Sequence, residues 1–278
     1  MNKIDQKTVY TIKALCADMI QKANSGHPGL PLGAAGFTHV LWSQVLNHSA
    51  KHPEWVNRDR FILSAGHGSS MLYSLLHLYG YGLTMDDLKQ FRQLGSLTPG
   101  HPEYGHTVGV DATTGPLGQG LGMAVGMAMG QAHLATVFNK PGYDLFDHYV
   151  YALAGDGCMM EGISSEALSL AGTLKLEKLI ILYDSNNISI EGNTNITFTE
   201  NVSDRVKAFG FETLTVKDGD NLDEVLAALE KAKTIKGKPK FIEIKTTIGK
   251  DSPNEGSEST HGAPLGVNNI KALKEKLG

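Results

Sequence analysis

Apolar residues along this chain recur in two patterns. Over residues 4–23 they return at helical spacing, at Ile4, Val9, Ile12, Leu15 and Met19, which places them along one helix face. Elsewhere they form short β-rich runs, at 60–64, 149–154, 179–183, 212–216 and 241–244. Between the runs lie segments that read as helices: 32–46, 69–79, 117–138, 164–173, 203–209 and 222–233, with a short lysine-rich helix at 268–277. Strands separated by helices predict an α/β fold, a mostly parallel sheet flanked by helices on both faces. No repeat or low-complexity block divides the chain, so residues 1–278 read as one domain. The most linker-like stretch is 249–259 (GKDSPNEGSES), polar and rich in turn residues.

Composition narrows the function classes. A chain of 278 residues can bury one large core, or at most two domains. Its net charge of -4 does not suggest nucleic acid or a membrane surface as the main partner. Two cysteines, Cys16 and Cys158, make no disulfide framework and fit a reducing cytosol. The opening MNKIDQKTVYTIK lacks an apolar signal core, so a cytoplasmic location is expected. The apolar stretch 115–138 is interrupted by Gln119, Gln131 and His133, which argues against a membrane span.

Candidate chemistry lies at the ends of two of the predicted strands. Gly155-Asp156-Gly157 follows the run 149–154, and Asn186-Asn187 follows the run 179–183. Ligands of parallel sheets bind at the carboxyl ends of strands, where both motifs fall. A carboxylate turn with a downstream asparagine suits Mg²⁺, a hard cation that takes oxygen ligands and is held by one or two protein groups plus phosphates. The pairing resembles the thiamine-diphosphate signature, in which Asp156 would give a carboxylate oxygen, Asn186 an amide oxygen and Ile188 a backbone carbonyl. Gly155 and Gly157 would let the backbone approach the phosphates, and a helix opening near Met160 would add unpaired N–H groups. Taken singly, GDG is also an ordinary tight turn and NN an ordinary loop dipeptide.

Four histidines sit in loops rich in glycine or proline: His27 (SGHPG), His67 (SAGHG), His101 (PGHPE) and His261 (THGAP). Each alone reads as a hydrogen-bonded loop residue. Together, beside a diphosphate site, they suit recognition of phosphate and sugar hydroxyls by neutral or charged imidazole. His39, His48, His52, His77, His133 and His148 receive no functional assignment.

The segment GPLGQGLG from Gly115 lacks the GxGxxG spacing of a dinucleotide fingerprint. Its glycines continue, so that Gly118, Gly122, Gly126 and Gly130 form an i, i+4 stripe on one helix face. Each glycine inside a helix costs about 1 kcal/mol against alanine, hence about 3 kcal/mol for three. Two compensations are open: close approach of another backbone, or tight packing on the sheet.

Over essentially its whole length the chain resembles the N-terminal, diphosphate-binding part of transketolase. The matching stretches are SGHPGLPLGAA from Ser25, SAGHGSSMLYSLLHLYGY from Ser64, LTPGHPE from Leu97, TTGPLGQG from Thr113, GDGCMMEGISSEA from Gly155, YDSNNISIEG from Tyr183 and STHGAPLG from Ser259. The resemblance implies thiamine diphosphate with Mg²⁺ (or Ca²⁺ or Mn²⁺ in its place), the metal held by Asp156, Asn186 and the Ile188 carbonyl. It implies diphosphate contacts from His67, Gly157 and His261, with Gly115 and Leu117 against the cofactor's rings. His27, His101 and His261 would face the sugar, and Glu161 would lie at a subunit contact.

Transketolases of the usual kind are more than twice as long, and their pyrimidine-binding domain, absent from this sequence, carries the glutamate that protonates the aminopyrimidine. The expectation is therefore the N-terminal subunit of a split transketolase. A C-terminal subunit would supply that domain in an α₂β₂ assembly, which would transfer a two-carbon ketol unit from a ketose, usually phosphorylated, to an aldose in the pentose phosphate pathway. An expressed fragment of a longer chain is the alternative origin. Two alternative functions are the α subunit of a 2-oxo-acid dehydrogenase, against which the histidine loops and GPLGQG speak, and a non-catalytic thiamine-diphosphate-binding subunit.

Overall fold

The computed structural model describes residues 2–278. Its helices are α1 (Lys3–Ala23), α2 (Gly29–Val40), α3 (Ser69–Leu78), α4 (Met85–Lys89), α5 (Gln119–Phe138), α6 (Asp156–Met160), α7 (Gly162–Thr173), α8 (Val202–Ala208), α9 (Leu222–Thr234) and α10 (Val267–Leu277). Its strands are β1 (Arg60–Leu63), β2 (Val150–Gly155), β3 (Leu179–Ser185), β4 (Ile188–Ser189), β5 (Gly192–Asn193), β6 (Glu212–Val216) and β7 (Lys240–Lys245).

Five strands form one parallel sheet in the order β1-β2-β3-β7-β6. Every residue of β2 and of β3 is buried, so helices cover both faces, and this is why those strands read as unbroken apolar runs. Leu63, Leu153, Leu182, Ile242 and Leu214 lie in register across the sheet and anchor its core. The same register sets Gly155 beside Asp184, which brings the two candidate motifs to one edge.

Helix α1 begins at a capping box: Asn2 Oδ1 accepts from the N–H of Ile4 and Asp5, while the Asp5 carboxylate accepts from the Asn2 N–H at 2.8 Å. The helix predicted over 32–46 starts earlier, at Gly29, and its last turn widens into a π-helical segment, Leu41–Val45.

The stretch 249–259 is not a linker. It folds back onto α1, where the fully buried Lys13 ammonium meets Asp251 at 2.6 Å and Asp220 at 3.4 Å. Its polarity serves turns and this buried ion pair.

Helix α5 packs on β1, β2 and β3 through buried Leu121, Ala124, Val125 and Ala128. It is long and apolar enough by composition to cross a membrane, and in the fold it lies against the sheet. Its glycine stripe divides in two. Gly118, expected on the helix face, instead precedes the helix as its N-cap in a left-handed conformation (φ 77°), where a Cβ would also stand 2.8 Å from Glu161 Cβ. A Cβ on Gly122 would stand 3.4 Å from the Ile163 side chain, so these two are packed internally. At Gly126 and Gly130 a Cβ would meet nothing within 4 Å. Internal packing therefore explains the first half of the stripe only.

Candidate functional site

Strand β2 ends at Gly155, and Asp156 is itself the first residue of a helix. The expected helix start near Met160 is thus displaced. A short helix opens at the carboxylate and stops at Glu161, whose extended backbone (φ -73°, ψ 141°) separates α6 from α7. The Glu161 N–H still closes on the Cys158 carbonyl. Of the two motif glycines, Gly157 is required by space: a Cβ there would stand 2.8 Å from Leu117 Cδ1. At Gly155 the nearest atom would be 3.9 Å away, an ordinary contact.

The Asp156 carboxylate is 4 % exposed. Its Oδ1 accepts from the Tyr183 hydroxyl, and its Oδ2 accepts from the N–H groups of Asn187 at 3.0 Å and Asn186 at 3.3 Å. Asn187 adopts a left-handed conformation (φ 61°), which turns two successive N–H groups toward one oxygen. The Asn186 side chain donates from Nδ2 to Asp184 Oδ2 at 3.0 Å, and its Oδ1 accepts from the Ile188 N–H at 2.9 Å. Ile188 then opens the β4–β5 hairpin.

Burial raises the pKa of Asp156, and burial pushes Asp184 up to about 7, with the nearby Asp156 charge adding to the effect. Two buried carboxylates whose proton affinities are both raised, one of them partly by the other's charge, are what a divalent cation would relieve. Among the described residues no group of three His, Cys, Asp or Glu side chains is arranged to hold a metal alone. A cation here would take one carboxylate, an amide or carbonyl oxygen, and oxygens from a ligand. That donor set is the one Mg²⁺ favours.

The four loop histidines converge on this edge. The His27 ring lies 5.1 Å from that of His67 and 5.7 Å from that of His261, and the His67 and His261 rings stack at 5.4 Å. His101 rests against Gly115, where a Cβ would stand 3.4 Å from its ring. The His67 loop lies directly on the segment before Leu117, since a Cβ at Gly66 would stand 2.6 Å from Thr114 Oγ1. Burial pushes His27 down to about 4 and His67 down to about 3, and lowers His101 and His261 as well. Of the neutral and charged forms both left open above, the fold selects neutral imidazole near pH 7. Each ring then offers one donor and one acceptor.

All ten residues singled out from the sequence (His27, His67, His101, Gly115, Leu117, Asp156, Gly157, Asn186, Ile188 and His261) line one cavity of about 400 Å³. Leu30 and Ile248 give it an apolar wall beside these polar groups. Sequence reasoning missed Tyr183, Asp184 and Thr246 beneath the site, and Arg92 beside it. Arg92 reaches Ser25 Oγ at 3.0 Å and His27 Nδ1 at 3.4 Å from a left-handed backbone (φ 62°). A signal existed for Asp184, a charge directly after the apolar run 179–183; none marked Arg92.

Comparison with known proteins places these observations. A family model described as transketolase, thiamine diphosphate binding domain, matches residues 4–278. The chain is 57 % identical over 275 residues to a transketolase of Geobacillus stearothermophilus, covering 99 % of this chain and 41 % of that protein. Among solved structures, transketolase from Leishmania mexicana superposes with a TM-score of 0.97 at 53 % identity, covering 99 % of this chain and 41 % of that one. A Pichia stipitis transketolase complex with sedoheptulose-7-phosphate superposes with a TM-score of 0.98 at 48 % identity, covering 100 % and 41 %. The chain thus spans about 41 % of the length of these relatives.

Proposed function

The chain belongs to the transketolase family as its N-terminal, thiamine-diphosphate-binding part, and from that premise we propose that it is one subunit of a transketolase that moves a two-carbon ketol unit from a ketose phosphate to an aldose. On this reading residues 1–278 form one diphosphate-binding domain, and the pyrimidine-binding region is supplied by a second chain in an α₂β₂ assembly. The relatives are single chains of which this one spans about 41 %. The two cysteines, free and buried, fit a reducing cytoplasm, and on the same reading the reaction would belong to the pentose phosphate pathway.

The observation that carries the proposal is the convergence of four neutral histidines and the Asp156–Asn186 pair on one cavity. Asp156, Asn186 and the Ile188 carbonyl would hold Mg²⁺. His67, His261 and Gly157 would take the diphosphate, with Gly115 and Leu117 against the rings. When bound, thiamine diphosphate supplies the nucleophilic carbon and accepts the electron pair of the broken C–C bond. His27, His101 and His261 would orient the sugar: His27, whose Nδ1 faces the Arg92 guanidinium, would donate from Nε2, and neutral His101 and His261 would each donate one hydrogen bond and accept one from a hydroxyl. The apolar wall at Leu30 and Ile248 would limit water around the reacting atoms.

The test is an assay of the chain with saturating thiamine diphosphate and Mg²⁺, with and without a chain carrying the pyrimidine-binding region, offering xylulose 5-phosphate or pyruvate as donor. The expected result is no turnover by the chain alone, and ketol transfer from the sugar on mixing. Robust turnover alone would refute the two-chain reading. Turnover of pyruvate and not of the sugar would favour a 2-oxo-acid dehydrogenase, and no turnover with any partner would favour a non-catalytic binding subunit.

A further inference from the structure

Beneath the proposed metal ligands runs a hydrogen-bonded relay that cofactor binding does not itself require. Asp184 lies near the end of β3, fully buried, beside Gly155 of β2 and Ile244 of β7. Its Oδ1 accepts from the Thr246 hydroxyl and its Oδ2 accepts from Asn186 Nδ2 at 3.0 Å. The relay ties the loop after β7 to the loop after β3, two segments far apart in sequence.

The physical point concerns the two ends of the asparagine side chain. An amide is nearly symmetric in shape, and its two ends have opposite polarity: the oxygen can ligate a cation and the NH₂ cannot. Nothing in the sterics of a loop decides which end faces a ligand. Here a partner that accepts at both oxygens sits on one side, so the NH₂ end of Asn186 is drawn to Asp184. The Ile188 N–H, which donates to Oδ1 at 2.9 Å, favours the same orientation from the other side. Thr246 in turn keeps the Asp184 carboxylate from rotating out of line. Burying a carboxylate without a paired base is costly, and a structural hydrogen bond to Asn186 would be served as well by a neutral acceptor.

We infer that Asp184, held by Thr246, is a positioning residue that fixes the amide polarity of Asn186, so that oxygen and not nitrogen is presented to a divalent cation. This rests on the metal-site reading given under Proposed function. Outer partners of this kind orient the groups that touch the metal, and their loss typically lowers metal affinity by about 10- to 100-fold.

The test uses the full chain with Mn²⁺ as probe, its free and bound forms counted by electron paramagnetic resonance in the presence of thiamine diphosphate, with circular dichroism as a check on folding. In Asp184→Asn the neighbour of Asn186 becomes an amide that can offer it either end, because the Thr246 hydroxyl can donate or accept, so the polarity of Asn186 is no longer fixed. Mn²⁺ affinity should fall by about 10- to 100-fold. Thr246→Val should lower it in the same direction, and Thr246→Ser should restore it. The decisive comparison repeats Asp184→Asn on Asn186→Asp, whose carboxylate presents oxygen at either end: there it should cause no loss relative to Asn186→Asp alone. A merely structural role for Asp184 predicts the same loss in both backgrounds.

Unchanged affinity in Asp184→Asn, or the same loss in both backgrounds, overturns the inference. Should Asp184→Asn fail to fold, the Thr246 pair decides on the same terms. Asp156→Ala serves as reference: if it too leaves Mn²⁺ affinity unchanged, the metal-site reading has failed and not the positioning role alone.

Discussion

Replacing Gly126 separates two properties that the glycine stripe combines. The residue lies inside α5, exposed, and a Cβ there would meet no atom within 4 Å. In the isolated chain, Gly126→Ala therefore removes a backbone-entropy cost and adds no clash. It should stabilise the chain by about 0.8 to 1 kcal/mol, which for a domain of this size raises Tm by roughly 2 to 4 °C. Gly126→Leu should leave the isolated chain at least as stable, because leucine is a good helix former and the space is open. If a helix of another subunit lies across this face, the same leucine overpacks it at a cost of about 1 to 3 kcal/mol, equivalent to a roughly 5- to 150-fold weaker association. Thermal unfolding followed by circular dichroism reads the first effect, and sedimentation of the assembled enzyme reads the second. A lower Tm for Gly126→Ala would mean that the face is packed within the chain, contrary to the open space seen there. Wild-type association of Gly126→Leu would refute an intersubunit helix.

Asp156→Ala removes the one charged ligand of the proposed site, and calorimetry on the assembled enzyme should show thiamine diphosphate affinity down by orders of magnitude with the fold intact; unchanged affinity would contradict the assignment. His67→Ala should weaken cofactor binding, whereas His101→Ala should lower kcat or raise KM with cofactor affinity nearly intact; the opposite pattern would mean the two roles are exchanged. Burial holds His27 and His148 down to about 4 and His67 down to about 3, against an ordinary 6.5, so the folded chain binds fewer protons than the unfolded one in this range. Stability present above pH 6.5 should accordingly fall as pH drops from about 6.5 toward 4, and His148→Gln, away from the cavity, should flatten the fall of the urea midpoint with pH; an unchanged slope would refute the contribution of His148.

Elements built on burial were legible in the sequence. β2 and β3 are buried on both faces, so each announces itself as an apolar run, and the predicted boundaries fall within two residues of the observed ones. Elements built on local hydrogen bonds were not. Helix α4 spans Met85–Lys89, too short for a period, and is held by a Thr84–Asp87 capping box. The β4–β5 hairpin has two residues in each strand. The same division runs through the site. The ten residues expected there stand in motifs whose glycines and histidines are conspicuous, while groups that orient them, Thr246 and Asp184 among them, meet only because β3 and β7 are neighbours in the sheet. Polarity alone misled at 249–259, where it belongs to turns closing over the buried Lys13 ion pair.

The electrostatics of the cavity bear on how a diphosphate could enter it. Four histidines would compensate such an anion if they were charged, but burial lowers the proton affinity of every one. Near neutral pH they contribute hydrogen bonds without net charge. Of the carboxylates at the same edge, Asp156 repels an anion, poorly screened because it is buried, and Asp184, pushed up to about 7, adds only part of a charge near neutral pH. Helix α6 offers little help, because its first residue is Asp156 itself. A diphosphate approaching alone would therefore meet unfavourable charge on one side and neutral donors on the other. With a divalent cation between it and Asp156, the sign of the interaction reverses, and the neutral imidazoles suffice to orient the phosphates. On the proposed reading metal and cofactor would bind as a unit, which is why the single ligand Asp156 is expected to control the affinity of both.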